Sequence, residues 1–319
     1  AEDIPLSVLE AFTAEYGVNV IYLTYETQDE GLANLRAGKV YDVVVFDNDY
    51  IPGLVAEGLV AEIDYRHVPN FKNIMPNFRD LTYDPQNKHS IPFNWGITGL
   101  LVRSDLVQRP VTRWADLWNL PANAKIGLRS EMRELLVPAL KALGYSANSE
   151  NPDELEAALA HLLKIKQQII IVDPYAEALI PLLSQGEIVI AVGWAEDALL
   201  AQETNAAIDY VLPQEGILIW GDNFVIPAHS PNKYTAELFL NFLLRPEISA
   251  QIVNDNYYAT VNEAALPFID PEIRHNPIIF PPNEALTNAE IYFPLNPQGN
   301  ELYTEISQRF LGMLTTEEK

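Results

Sequence analysis

GWAEDALLAQETNAAIDYVLPQEGILIWGDNFVI, residues 193–226, decides the fold. It holds Trp194 and Trp220, two of the five tryptophans. Each closes an apolar run, Ile188–Val192 and Ile217–Ile219, and each is followed by carboxylates, Glu196 and Asp197 after the first and Asp222 after the second. An apolar run that ends in an aromatic and then an acid reads as a buried strand handing two side chains to a surface. An indole face with a carboxylate beside it suits an organic cation, through cation–π attraction and a charge-assisted hydrogen bond. Two such sets within one stretch suggest a ligand with more than one charged end.

Upstream, Leu6, Leu9, Phe12 and Tyr16 share a helical face that Gly17 closes. The alternation over 18–25 predicts a strand, and 29–36 a short helix. YDVVVF at 41–46 is a continuous apolar run, expected to be a strand buried on both faces of a parallel sheet. Asp47-Asn48-Asp49-Tyr50 then forms a turn that caps a helix over 51–57. This strand–helix rhythm predicts an α/β fold with ligands at the carboxyl ends of strands. Residues 65–92 read as a long connection and 91–102 as a strand pair. Trp114 and Trp118, four residues apart, are expected in the core. A second α/β series follows: a helix over 131–143 capped by Ser130, a helix over 153–167, and strands at 168–172, 187–193, 208–212 and 217–220. Helices over 233–244, 246–253 and 301–313 complete the chain.

Composition narrows the function. The 319 residues are 48% hydrophobic, enough for about two domains. A formal net charge of −24 repels nucleic acid and anionic membranes and attracts cations. There is no cysteine, which excludes disulfides and thiolate metal sites. No apolar run approaches the roughly 18–20 residues of a membrane span. Walker A, GxGxxG, GxSxG and HExxH patterns are absent, and the five histidines lack ligand spacing. Neither a metal nor a cofactor is expected.

Glu131 and Glu134 lie three apart on one predicted helix face, where they also complement the helix dipole. Asp47 and Asp49 serve equally well as helix-capping acids, Asp222 as a turn residue, and Tyr258 and Tyr292 as core. Their joint position at strand ends and helix starts is the stronger signal. At these residues the chain resembles the spermidine/putrescine-binding periplasmic proteins of polyamine ABC importers. The resemblance covers essentially the whole chain, through VIYLTYET at 20–27, YDVVV at 41–45, SIPFNWGITGLLV at 90–102, RWADLW at 113–118, GEIVIAVGWAEDA at 186–198, VLPQEGILIWGDNFVIPA at 211–228, NFLLRPE at 241–247 and YYATVN at 257–262.

The resemblance implies a two-lobed α/β fold of type 2 periplasmic-binding topology with the ligand in the interlobe cleft. Lobe 1 is expected over 1–102 and 222–266, and lobe 2 over 104–219 and 269–319, with crossovers near 102–104, 219–222 and 266–269. It implies Trp194 and Trp220 as aromatic walls, Asp222 as the grip on one amine, Glu134 with Glu131 as acids of the second lobe, and Tyr258, Tyr292 and Asp197 as further contacts. Asp197 matches an acid of the putrescine-specific branch, whereas Trp220 matches the spermidine-preferring branch. Two departures stand out. Asp3 occupies the tyrosine position of the family's first motif with no tryptophan before it, so the first strand of lobe 1 is expected to be absent from the chain. Asp47 and Asp49 stand where family members often have serine and tyrosine, which makes an unusually acidic site.

The implied function is capture of spermidine or putrescine outside the cytoplasm, in the periplasm or tethered to a membrane through a removed N-terminal segment. Delivery to the permease of an ABC importer follows, by a monomer that performs no chemistry. The residues alone leave open a binding protein for an amino acid, sugar or metal ion, a polyamine sensor, and a carboxylate-pair hydrolase.

Overall fold

The computed structural model describes residues 4–25, 27–172 and 178–315, and Asp3 lies outside them. The chain forms two compact units, Ala1–Gly96 with Trp220–Phe280, and Ile97–Ile219 with Pro281–Lys319. In chain order the first unit supplies helices α1 (Leu6–Tyr16) and α2 (Gln28–Arg36), strand β1 (Val44–Asp47), α3 (Ile51–Ala56) and the first half of β2 (Ser90–Arg103). The second unit holds the rest of β2, then β3 (Ile126–Arg129), α4 (Met132–Ala142), α5 (Pro152–Leu162), β4 (Ile169–Val172), α6 (Leu179–Gln185), β5 (Ile190–Trp194), α7 (Ala195–Thr204), β6 (Ile208–Val211) and the start of β7 (Leu218–Val225). The chain returns to the first unit along β7, through α8 (Lys233–Leu243), α9 (Pro246–Asn256), β8 (Ala259–Thr260) and α10 (Pro271–Arg274). It ends in the second with α11 (Asn283–Leu286), β9 (Glu290–Ile291) and α12 (Pro297–Thr315).

In the first unit β1 pairs antiparallel with β7, Val44 opposite Val225 and Asp47 opposite Asp222. Val44 and Phe46 turn into a core with Leu35, Ile51, Leu54, Val60, Tyr83 and Val225. The apolar face of α1 meets α8, where Phe12 packs edge-on against Phe239 at 4.9 Å and Phe242 at 5.3 Å. Gly17, at φ 67°, ends α1 in the left-handed conformation that glycine adopts without steric cost.

In the second unit β3 runs parallel to β4 and β5, while β2 is antiparallel to β5 and β6. α4 is buried along most of its length and packs on α5 and α12. Arg133, Glu134 and Lys141 are buried on it among the leucines. Such residues are rarely buried unless paired, so α4 carries more than packing.

The expected mixed α/β architecture is present, and several local expectations are corrected. Residues 18–25 form no strand, and Ile21 and Leu23 are 78% and 65% exposed. Alternation shows that a segment suits a pleat, but a strand also needs a hydrogen-bonded neighbour. YDVVVF is antiparallel to its partner and half-buried in alternation, because an apolar run does not encode the direction of its neighbour. Residues 90–103 make one strand, Gly96 and Gly99 included, and 218–225 is likewise continuous. Ser130 does not cap α4; Glu131 is the N-cap residue, and its side chain makes no capping bond. Trp114 is buried in the core as expected, within a 3₁₀ turn, and Trp118 stacks on His161.

Candidate functional site

The two units each hold a set of aromatic and acidic side chains. In the second unit the set is built around Glu134, in the first turn of α4 and 4% exposed. Its Oε1 accepts a hydrogen bond from Thr98 Oγ1 at 3.0 Å. Burial pushes its carboxyl above the ordinary range, against the opposing pull of Arg129 and of donors on Thr98, Trp194 and Tyr292. Trp194 and Tyr292 stand close enough to favour the carboxylate, yet Glu134 Oε2 and the Tyr292 hydroxyl complete no hydrogen bond. A buried acid with an uncompleted oxygen is a poor resting arrangement and a good receptor for an ammonium.

Trp194 ends β5, opposite Thr98 of β2, and is half-buried. The guanidinium of Arg129, which is fully buried, lies 3.7 Å from the centre of its ring. Arg129 is ion-paired with Asp197, and Asp197 Oδ2 accepts the Trp194 backbone N–H at 2.7 Å as part of a capping box on α7. Asp197 therefore holds Trp194 from both backbone and ring. Tyr292 is held on the other side by Arg133, whose guanidinium lies 4.3 Å from its ring and donates to Phe293 O at 2.7 Å and Asn148 Oδ1 at 2.6 Å. Burial and the charges of Glu134 and Glu131 push the Tyr292 hydroxyl upward.

In the first unit the set is built on the β1–β7 pair. Asp222 is half-buried, yet its carboxyl sits deep enough for desolvation to push it upward, opposed by the side chains of Asp47 and Asn94 close beside it. Gln28 Nε2 donates to Asp47 Oδ1 at 2.7 Å. Asn48 N donates to Gly221 O at 3.0 Å, and Asn223 Nδ2 to Asn48 Oδ1 at 2.7 Å, fixing the turn that carries Asp47 and Asp49. Burial and the charges of Asp29 and Asp49 push the Tyr50 hydroxyl upward, and that hydroxyl donates to Asp29 Oδ1 at 3.0 Å. Trp220 meets Tyr258 edge-on at 5.7 Å. Its indole packs closely against Gly96, where a Cβ would stand 2.0 Å from Trp220 Cζ2.

The structure thus groups Trp194, Glu134, Glu131, Tyr292 and Asp197 in one unit, and Trp220, Asp222, Asp47, Asp49 and Tyr258 in the other. Sequence reasoning missed Arg129, Thr98, Asn94, Gln28 and Gly96. Glycine inside an apolar strand is a signal of close approach, and it was present at Gly96. Arg129 at a strand end carried no signal, because its partners come from β5 and α7. Among the described residues no cluster of three or more histidines and acids is arranged to hold a metal ion, and no helix is long and apolar enough to cross a membrane.

Comparison with known proteins shows the family. Residues 7–281 match the family model described as bacterial extracellular solute-binding protein. The spermidine/putrescine-binding periplasmic protein of Escherichia coli strain K12 is 36% identical over 298 residues, covering 91% of this chain and 83% of that protein. The putrescine/agmatine-binding protein of Pseudomonas aeruginosa is 30% identical over 306 residues, 90% of this chain and 82% of that one. The solved spermidine/putrescine ABC transporter substrate-binding protein of Streptococcus pneumoniae superposes with a TM-score of 0.89 at 29% identity, covering 99% of this chain and 97% of that one.

Proposed function

The chain belongs to the family of bacterial extracellular solute-binding proteins, and from that premise we propose that it captures a polyamine, spermidine or putrescine, and delivers it to the permease of an ABC importer. It works outside the cytoplasm and is a binding protein, not an enzyme. One observation carries the choice of ligand: each unit sets aromatic rings beside a desolvated carboxylate, Trp220 and Tyr258 with Asp222, Trp194 and Tyr292 with Glu134. A desolvated carboxylate gains most from a full positive charge, and an indole or phenol face covers methylene groups. A diamine or triamine satisfies both demands at both sets.

In this reading the units are the lobes of a type 2 binding protein, acting as a monomer, and each takes one charged end of the ligand. Glu131, Asp49 and Asp47 add negative charge around the two grips. Asp197 acts through Arg129 by fixing the ring of Trp194. Titration calorimetry with putrescine, spermidine and spermine, beside an amino acid and a sugar, tests the reading. Heat with the amines alone is expected. Silence with every amine and heat with the sugar would overturn it.

A further inference from the structure

Asp47 and Asp222 are cross-strand partners in the antiparallel β1–β7 pair. Residues directly opposite in such a pair project to one face with Cβ atoms about 4.5–5.5 Å apart. Two ionised carboxylates in that position repel, and like charges directly opposite destabilise a sheet. Among the described residues the side chains acting on Asp222 are Asp47 and Asn94, and neither is a cation. Asn94 supplies an independent sign of a site. It is 4% exposed on β2, stands against Asp222, and completes a hydrogen bond through neither Oδ1 nor Nδ2. Gln28 and Asp29 from α2, and Asp49 and Tyr50 from the turn into α3, add further negative or neutral groups nearby. Tyr83 and Asn48 are taken up by Asn223.

We propose that Asp47 and Asp222 share a single proton in the unliganded protein, and that a ligand ammonium seated against the pair displaces it. The inference rests on the polyamine reading and deepens it. On binding, the O–H bond of the protonated carboxyl breaks and its proton passes to the buffer. The pair goes from one negative charge to two, and the ammonium N–H groups donate to both carboxylates. Alkylammonium groups titrate near pH 10, so the ligand stays charged while the pair empties. The proton belongs to the pair and not to either residue. It also explains why an acid is tolerated at position 47, where the family resemblance places serine. Desolvation already pushes Asp222 upward, as a retained proton requires.

The test is calorimetry of spermidine binding to the full chain at mildly acid pH in two buffers of different ionisation enthalpy. A net proton release that approaches one per ligand is expected, with affinity that rises as pH rises. In Asp47→Asn, which keeps the shape, the release should vanish and the pH dependence flatten. Identical heats in the two buffers, or undiminished release from Asp47→Asn, would overturn the proposal while leaving the polyamine reading standing. Failure of putrescine, spermidine and spermine alike to bind would overturn both. Carbon-13 NMR of the aspartate carboxyls in the unliganded wild-type protein decides the first half without any ligand or variant. Both groups ionising at the ordinary value of about 3.9 would sink it.

Discussion

For a single side chain at this site, desolvation is the governing quantity. Glu134 is held by Thr98 and flanked by Trp194 and Tyr292, yet burial still pushes it above the ordinary carboxylate range. On the proposed reading the protein carries this cost unliganded and recovers it when a cation arrives. Glu134→Gln keeps the Thr98 contact and removes the charge, and Asp222→Asn does the same on the other unit. Losing a buried charged contact costs about 2–5 kcal/mol, so each variant is expected to bind spermidine more than tenfold more weakly by calorimetry. Unchanged affinity would remove that residue from the contacts. The raised value also sets a sign for stability. A carboxyl raised on folding contributes stability when protonated and loses it as pH rises through its folded value. Glu134→Gln should therefore gain thermal stability relative to the wild type as pH rises above the ordinary carboxylate range. Acids lowered by cations, such as Glu290 beside Lys141, act oppositely and lose their contribution as pH falls. Glu134 was singled out in the sequence by the family resemblance, since its three-residue spacing to Glu131 alone reads as well as a complement to the helix dipole, whereas the stack of Arg129 on Trp194 carried no signal, because spacing along the chain says nothing of a ring met through tertiary contact.

Strand β2 shows how an element positions what sequence reasoning had assigned to single residues. Its apolar, strand-forming character was legible, but its continuity through Gly96 and Gly99 was not, since glycine pairs in an apolar run also signal a turn. The continuous strand provides the floor on which Trp220 lies. Gly96→Ala would place a methyl group within 2.0 Å of the indole, so the ring must leave its position. Overpacking of this kind costs about 1–3 kcal/mol. The variant should fold with lowered Tm, show altered tryptophan emission and bind spermidine more weakly. Binding and emission identical to the wild type would show that Trp220 does not depend on this floor. On β3, Arg129→Met leaves the buried carboxylate of Asp197 without its cation, and breaking a buried pair costs about 3–5 kcal/mol. A fall in thermal stability larger than for Gly96→Ala is expected from calorimetric melting. Helices α1 and α8 were legible nearly to the residue, and α9 to within its last three residues, because a 3.6-residue period is a local property. Strand direction and pairing were not, because they depend on residues far away in the chain.

For the whole molecule, the relevant number is the net charge of −24. If that charge served solubility alone, it would be indifferent to the approach of a ligand. A polyamine carries two or more positive charges and diffuses toward the protein within the summed field of all the carboxylates, only a few of which touch it. Raising ionic strength from about 10 mM to about 0.15 M shortens the Debye length from about 30 Å to about 8 Å, which screens the distant carboxylates but not the contacts themselves. Steering acts on encounter, whereas the grips proposed for Asp222 and Glu134 act on escape. Stopped-flow tryptophan fluorescence should therefore show an association rate for spermidine that falls steeply over this range while the dissociation rate changes little. The fall should be steeper for spermidine than for putrescine, in the order of their charges. An association rate indifferent to salt would mean that the acidic surface serves solubility, and that capture depends on the two carboxylate grips alone.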